Sequence, residues 1–198
     1  MISPKKQEAH MKHIATLALM LNFGVAGVYA HQKPLKMTFS GTGGAGVIDL
    51  NQPNTANLEE SEAGNGPLGS FTLRIISAET TTPQSSSTCS GSTHRFSIRV
   101  SGGGVFRFED GSLLTVNVTE GTDCVDFVAQ QAHCAMTFQI TGGTGRFKNA
   151  SGILAFTETV VPVLANSSGI PVYFADTGEL TGTVSGVAGD DDHDDGRH

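Results

Sequence analysis

HRFSIRVSGGGVFRFEDGSLLTVNV, residues 94–118, decides the fold. From His94 to Val100, apolar Phe96, Ile98 and Val100 alternate with Arg95, Ser97 and Arg99, which is the period of a half-buried strand. After three glycines, Val105 to Glu109 and Ser112 to Val118 repeat the alternation on either side of Asp110-Gly111, a pair that tolerates positive φ and marks a hairpin. Phe96, Ile98, Val100, Phe106, Phe108, Leu114 and Val116 then share one interior face.

Working outward, the same short alternating stretches recur at Leu35 to Ser40, Phe71 to Ala78, Cys134 to Ile140, Gly152 to Val161, Val172 to Phe174 and Glu179 to Ser185. No amphipathic helical period occurs after the N-terminal segment. Eight or nine short strands in one chain predict an all-β fold, a single antiparallel β-barrel of about eight strands, with a β-sandwich as the alternative. The 25 glycines cluster between these stretches, at turns and strand breaks. Thr42 to Pro67, poor in large apolar residues, reads as a long loop, and Thr80 to Thr93 as another. The boundaries that follow are a signal peptide over 1–30, an N-terminal strand with a flexible Gly/Asn/Glu-rich arm over 31–66, the barrel over 67–189 and an acidic disordered tail over 190–198.

The N-terminus carries an export pattern: Lys5, Lys6 and Lys12 precede an apolar run from Ile14 to Val28. That run is shorter than the roughly 20 residues needed to span a bilayer. Val28-Tyr29-Ala30 puts small residues at the positions before a cleavage, expected after Ala30, with Ala26 as the alternative. Met11 also reads as a start. The localisation expected is secreted or periplasmic, with membrane contact only during export. The remaining 168 residues suit one domain. They hold 9 Lys+Arg against 18 Asp+Glu and no basic cluster, which argues against a nucleic-acid partner.

An oxidising compartment allows one disulfide among Cys89, Cys124 and Cys134. Three pairings exist; Cys124 with Cys134 is favoured, because nine intervening residues suit two neighbouring strands. His133 beside Cys134 is a candidate thiolate partner that lacks an orienting third residue. The cysteine and histidine spacings fit no structural zinc site, no cofactor motif occurs, and no metal ligands are assigned. Asn117, Asn149 and Asn166 head sequons, which matter only in a glycosylating host. The glycines after Ile140 do not have P-loop spacing.

Ile140 to Glu158, ITGGTGRFKNASGILAFTE, resembles the signature of the dirigent and allene oxide cyclase-like barrel superfamily, in particular a secreted, bacterial-type branch of uncharacterised proteins with TGGTGRF followed by a GASG-like segment. In that signature a strand enters a Gly-Gly-Thr-Gly-x-Phe turn and leaves through small residues. Gly142, Gly143, Gly145, Arg146 and Phe147 are thus turn residues with a structural role, Phe147 being a core plug. The resemblance implies a barrel and either radical-coupling guidance or fatty-acid epoxide cyclisation, yet the catalytic groups of those proteins match no position here, so no catalytic residue is assigned.

Phe96, Ile98, Phe106, Phe108, Met136 and Phe138 are the candidate lining of a barrel cavity, and all are apolar. That argues against an enzyme. The function expected is an exported structural or surface-interaction protein. The alternatives are a carrier of a small apolar molecule in the barrel and a dirigent-like or cyclase-like catalyst. An unfilled interior separates the first reading from the others, and convergent polar groups inside it favour the catalyst.

Overall fold

Asp110-Gly111 closes the hairpin that its sequence predicts. In the computed structural model, which describes residues 33–167 and 171–189, Gly111 has φ +81°. The Asp110 side chain accepts the Ser112 N–H at 2.9 Å, and Phe108 and Ser112 pair across the turn. The hairpin joins β4 (His94–Phe108) to β5 (Leu113–Asp126). Around it lie β1 (Lys33–Ala45), β2 (Thr55–Asn65), β3 (Phe71–Thr80), β6 (Gln131–Gly143), β7 (Ser151–Ala165) and β8 (Pro171–Ser185), with a short 3-10 turn at Gly145–Phe147. Each strand pairs antiparallel with the next, and β8 returns to β1. The fold is one closed eight-stranded antiparallel barrel, not a sandwich. The expected signal peptide, its Ala30 cleavage site and the acidic tail lie outside the described residues.

The segment expected as loop and flexible arm is barrel wall: β1 runs on to Ala45, and Thr55–Asn65 forms β2 between β1 and β3. Its alternation is hidden because the inward positions are Gly41, Gly43, Glu60 and Glu62 instead of large apolar residues.

The parity expected along β4 holds at only one end of the strand. Phe106 and Phe108 point inward as expected, but at the other end of the strand Ser97 and Arg99 are buried, while Ile98 and Val100 are 37% and 47% exposed. Between these ends the register slips. Against β3 it shifts between Ala78 and Glu79, skipping Val100, and β5 shifts against β6 between Val118 and Glu120, skipping Thr119. One extra residue reverses which side chains face the core. The glycine run Gly102–Gly104, read as a strand break, lies inside one continuous strand at this reversal.

The same parity rule excludes the favoured disulfide. Cys124 lies opposite His133, and Cys134 opposite Asp123, so the two thiols point to opposite sides of the wall. Cys124 instead bonds Cys89 of the β3–β4 loop, with Cα atoms 5.6 Å apart, and Cys134 is free and buried. That loop lies over the outer wall: Gln84 bridges to Phe96, which pairs with Cys124. Phe96 is therefore half-buried from outside and lines no interior.

One half of the barrel is a dry aromatic core. Phe39 stacks on Phe156 at 4.6 Å, Phe156 meets Phe138 at 5.3 Å, and Phe71 packs on Phe106 and Phe108 at 5.4 and 6.0 Å. Phe147 closes the end, fully buried against Phe108 at 4.6 Å. Gly145 makes this plug feasible: its φ is +59°, and a Cβ there would lie 2.3 Å from Ser112 Oγ. Arg146 crosses the Phe108 and Phe147 rings, pairs with Asp110 at 3.0 Å and donates to the Leu68 carbonyl, tying three turns together.

Two outcomes follow. Phe147→Ala should cost about 3–5 kcal/mol in denaturant unfolding. A thiol assay on the denatured, unreduced chain should find one thiol, and reduction should lower stability by about 3–4 kcal/mol on loop-closure grounds; three thiols would refute the pairing.

Candidate functional site

The other half of the barrel is built by the β4 slip, which carries a guanidinium inside. Arg99, 3% exposed, donates from Nη1 to Glu60 Oε1 at 2.6 Å and to Ser77 Oγ at 3.1 Å. Its Nε reaches both oxygens of Asp123, at 2.9 and 3.2 Å, and Nη2 lies 3.6 Å from Glu158 Oε1. Glu60 comes from β2, Ser77 from β3, Asp123 from β5 and Glu158 from β7, so one cation holds four strands besides its own. Glu62 and Asp176 lie alongside: Gly41 of β1 is the register partner of both, and both are buried. Glu79 accepts a hydrogen bond from Ser97 at the margin.

Five buried carboxyls thus surround one guanidinium. Burying charges in unequal number is costly, and the structure responds through protonation. Burial, reinforced by the neighbouring carboxylates of Asp176, Glu60 and Glu158, pushes Glu62 up to about 10. Burial raises Glu158 well above the usual carboxyl range, with Glu60 adding to it. Glu60 and Asp176 are also raised by burial, partly offset for Glu60 by Arg99 and for Asp176 by Glu62 and Arg99. Burial works against the charge of Arg99, but Glu60 and Asp123 outweigh it and hold it protonated. The Cys134 thiol, raised by burial and by Asp123, is kept from the thiolate. Glu60, Glu62 and Glu158 bring carboxylate oxygens within 4.8 Å of one another.

The sequence-derived residues separate accordingly. Phe106, Phe108, Met136 and Phe138 are buried in the barrel, Met136 with its sulfur 3.6 Å from Arg99 Nη1, whereas Phe96 and Ile98 are on the outer wall. Gly142, Gly143, Gly145, Arg146 and Phe147 gather at the end opposite the acids. His133 points outward to Thr159 and Gln131, away from Cys134. Glu60, Glu62, Arg99, Asp123, Glu158 and Asp176 were not singled out from sequence. The i, i+2 pair Glu60/Glu62 in TANLEESEAGN was the available signal, a strand period carried by acids.

The outer wall holds a separate concavity of about 690 Å³ across β6, β7, β8 and β1, lined by Thr38, His133, Thr157, Thr159, Thr177 and Glu179 among others. No protein-family model matches the chain, and no curated protein is significantly similar to it.

Stability should depend on pH with a defined sign. Glu62 binds its proton more tightly in the fold than in the unfolded chain, so its contribution is complete below 4.5 and is lost as pH rises toward about 10. In chelator-treated protein the melting temperature should fall across that window, and Glu62→Gln should flatten the slope. Arg99→Met, which strands Glu60 and Asp123, should cost about 3–5 kcal/mol at neutral pH.

Proposed function

We propose that the protein is an exported β-barrel that works by binding at its outer surface, its interior being committed to holding the fold. The observation that carries this reading is the filled apolar half: Phe106, Phe138, Phe147, Phe156, Met37, Leu73, Leu114, Leu154 and Leu180 are all fully buried side chains. Eight strands enclose an interior that side chains alone can fill, and here they occupy the space an apolar ligand would need.

Export is supported by the N-terminal pattern and by the Cys89–Cys124 disulfide, which suits an oxidising compartment. Among the described residues no helix is long and apolar enough to cross a membrane. The outer concavity fits the surface reading. Its threonine hydroxyls, the His133 imidazole and Glu179, which pairs with Lys36 at 2.8 Å, match a polar, hydroxyl- or amide-bearing partner better than an apolar one.

A second reading, acid–base catalysis, is favoured by one observation: carboxyls whose proton affinity is raised by burial converge beside Arg99. The resemblance to dirigent and cyclase-like barrels points the same way, but of its matched stretch only the last residue, Glu158, reaches the acids, while its turn residues Gly142 to Phe147 shape the opposite end of the barrel.

Native mass spectrometry of the mature protein from its own host tests the proposal. The expected mass is that of the chain with one disulfide and no organic adduct. A stoichiometric apolar molecule would overturn the surface reading in favour of a carrier.

A further inference from the structure

The polar half of the barrel holds more acid than its one guanidinium can balance, and the surplus is arranged in space. Glu60, Glu62 and Glu158, from β2 and β7, place carboxylate oxygens within 4.8 Å of one another. Glu60 Oε2 and both oxygens of Glu62 and of Glu158 are buried and accept no hydrogen bond. Arg99 uses its short contacts on Glu60 Oε1 and Asp123 and reaches only Glu158 Oε1 among these oxygens, at 3.6 Å from Nη2. Carboxylates so placed repel unless a proton or a cation lies between them.

Asp176 on β8 is 3% exposed and, apart from the Glu62 carboxyl that it faces across Gly41, has no hydrogen-bonding group on either oxygen. The room for this is made by glycine. A Cβ on Gly41 would run into the Glu62 carboxyl, and one on Gly43 would run first into the Phe174 ring and then lie 2.9 Å from Glu60 Cγ. Two inward positions of β1 are thus left without side chains at the point where the acids converge, whereas inward Leu35, Met37 and Phe39 of the same strand fill the apolar half.

We propose that Glu60, Glu62 and Glu158, with Asp176 in support, form a binding site for a hard divalent cation inside the barrel. An all-oxygen donor set selects calcium, magnesium or manganese over the softer transition metals. Calcium suits it better than magnesium, because magnesium keeps several of its waters and the walls here are side chains packed to burial. Arg99 then neutralises Asp123 and one oxygen of Glu60, and the metal neutralises the rest. The inference goes beyond the surface-binding proposal and does not depend on it.

The test is calorimetric titration of the full, disulfide-intact chain, stripped with chelator, using calcium chloride and then magnesium chloride, with thermal unfolding in parallel. One calcium per chain is expected, at a Kd of roughly 10⁻⁴ to 10⁻³ M as in extracellular modules, with a higher melting temperature and a weaker magnesium response. Glu62→Gln/Glu158→Gln should abolish the calcium response while melting higher than the metal-free wild type, because it removes the repulsion. A misfolded variant would not melt higher. Both proteins keep the acidic segment Asp190 to His198, so weak binding there cancels in the comparison. No heat and no melting shift with wild type, or an undiminished response in the double variant, would overturn the site and leave protons as the counter-charge.

Discussion

Arg99 sets the terms for half of this molecule. A guanidinium cannot shed its proton at ordinary pH, so burying it obliges the fold to supply carboxylates, and β2, β5 and β7 each supply one. Such an arrangement is a poor source of stability compared with a packed apolar core, because desolvation consumes most of the attraction. Its value lies in specificity. Shifting any of these strands by one residue would take a carboxylate away from the guanidinium and leave charge stranded inside, so the network enforces the register that closes the barrel.

The two halves of the barrel divide the work. Rings from Phe39 round to Phe147 fill one end as a continuous buried apolar cluster, and burial of that surface is the dominant favourable contribution to folding. The polar end is made compatible with that core by the slips at Val100 and Thr119, which turn Arg99 and Asp123 inward while leaving Phe106 and Val116 inward at the other end. Without them, β4 would present Phe96 and Ile98 to the interior, and Glu60, Glu62, Glu158 and Asp176 would be buried with no guanidinium among them. The slip also leaves Phe96 outside, where the loop fastened by Cys89–Cys124 covers it.

How legible this was in the sequence depends on which end is considered. The Asp110-Gly111 hairpin and the strand period lead to an all-β barrel or sandwich, because at the apolar end the period is written in phenylalanine and leucine; the expected strand number is close to eight because the missed β2 is offset by reading β4 and β8 in two pieces each. At the polar end the same period is written in Glu60, Glu62, Ser97 and Arg99, residues that normally mark the solvent side, so Thr55–Asn65 read as loop and Arg99 as surface. A bulge has no signature of its own in composition, and parity extrapolated from Phe106 to Ile98 crossed one. The cysteine pairing failed for a related reason: spacing along the chain says that two strands are neighbours, but only parity says which side each thiol faces. The candidate site was therefore invisible to a search for clustered motifs, since its acids come from β2, β7 and β8 and meet only on closure.

What the interior does for the protein turns on the counter-charge among those acids. Crystal structures of the mature chain, grown with calcium and with chelator, measure it most directly. Arg99 is expected inside the barrel in both, and with calcium a single ion at about 2.3–2.6 Å from oxygens of Glu60, Glu62 and Glu158. Arg99 and these carboxyls turned out to solvent would contradict the account of the polar half at its root, and an interior network with no ion under either condition would contradict the cation site alone.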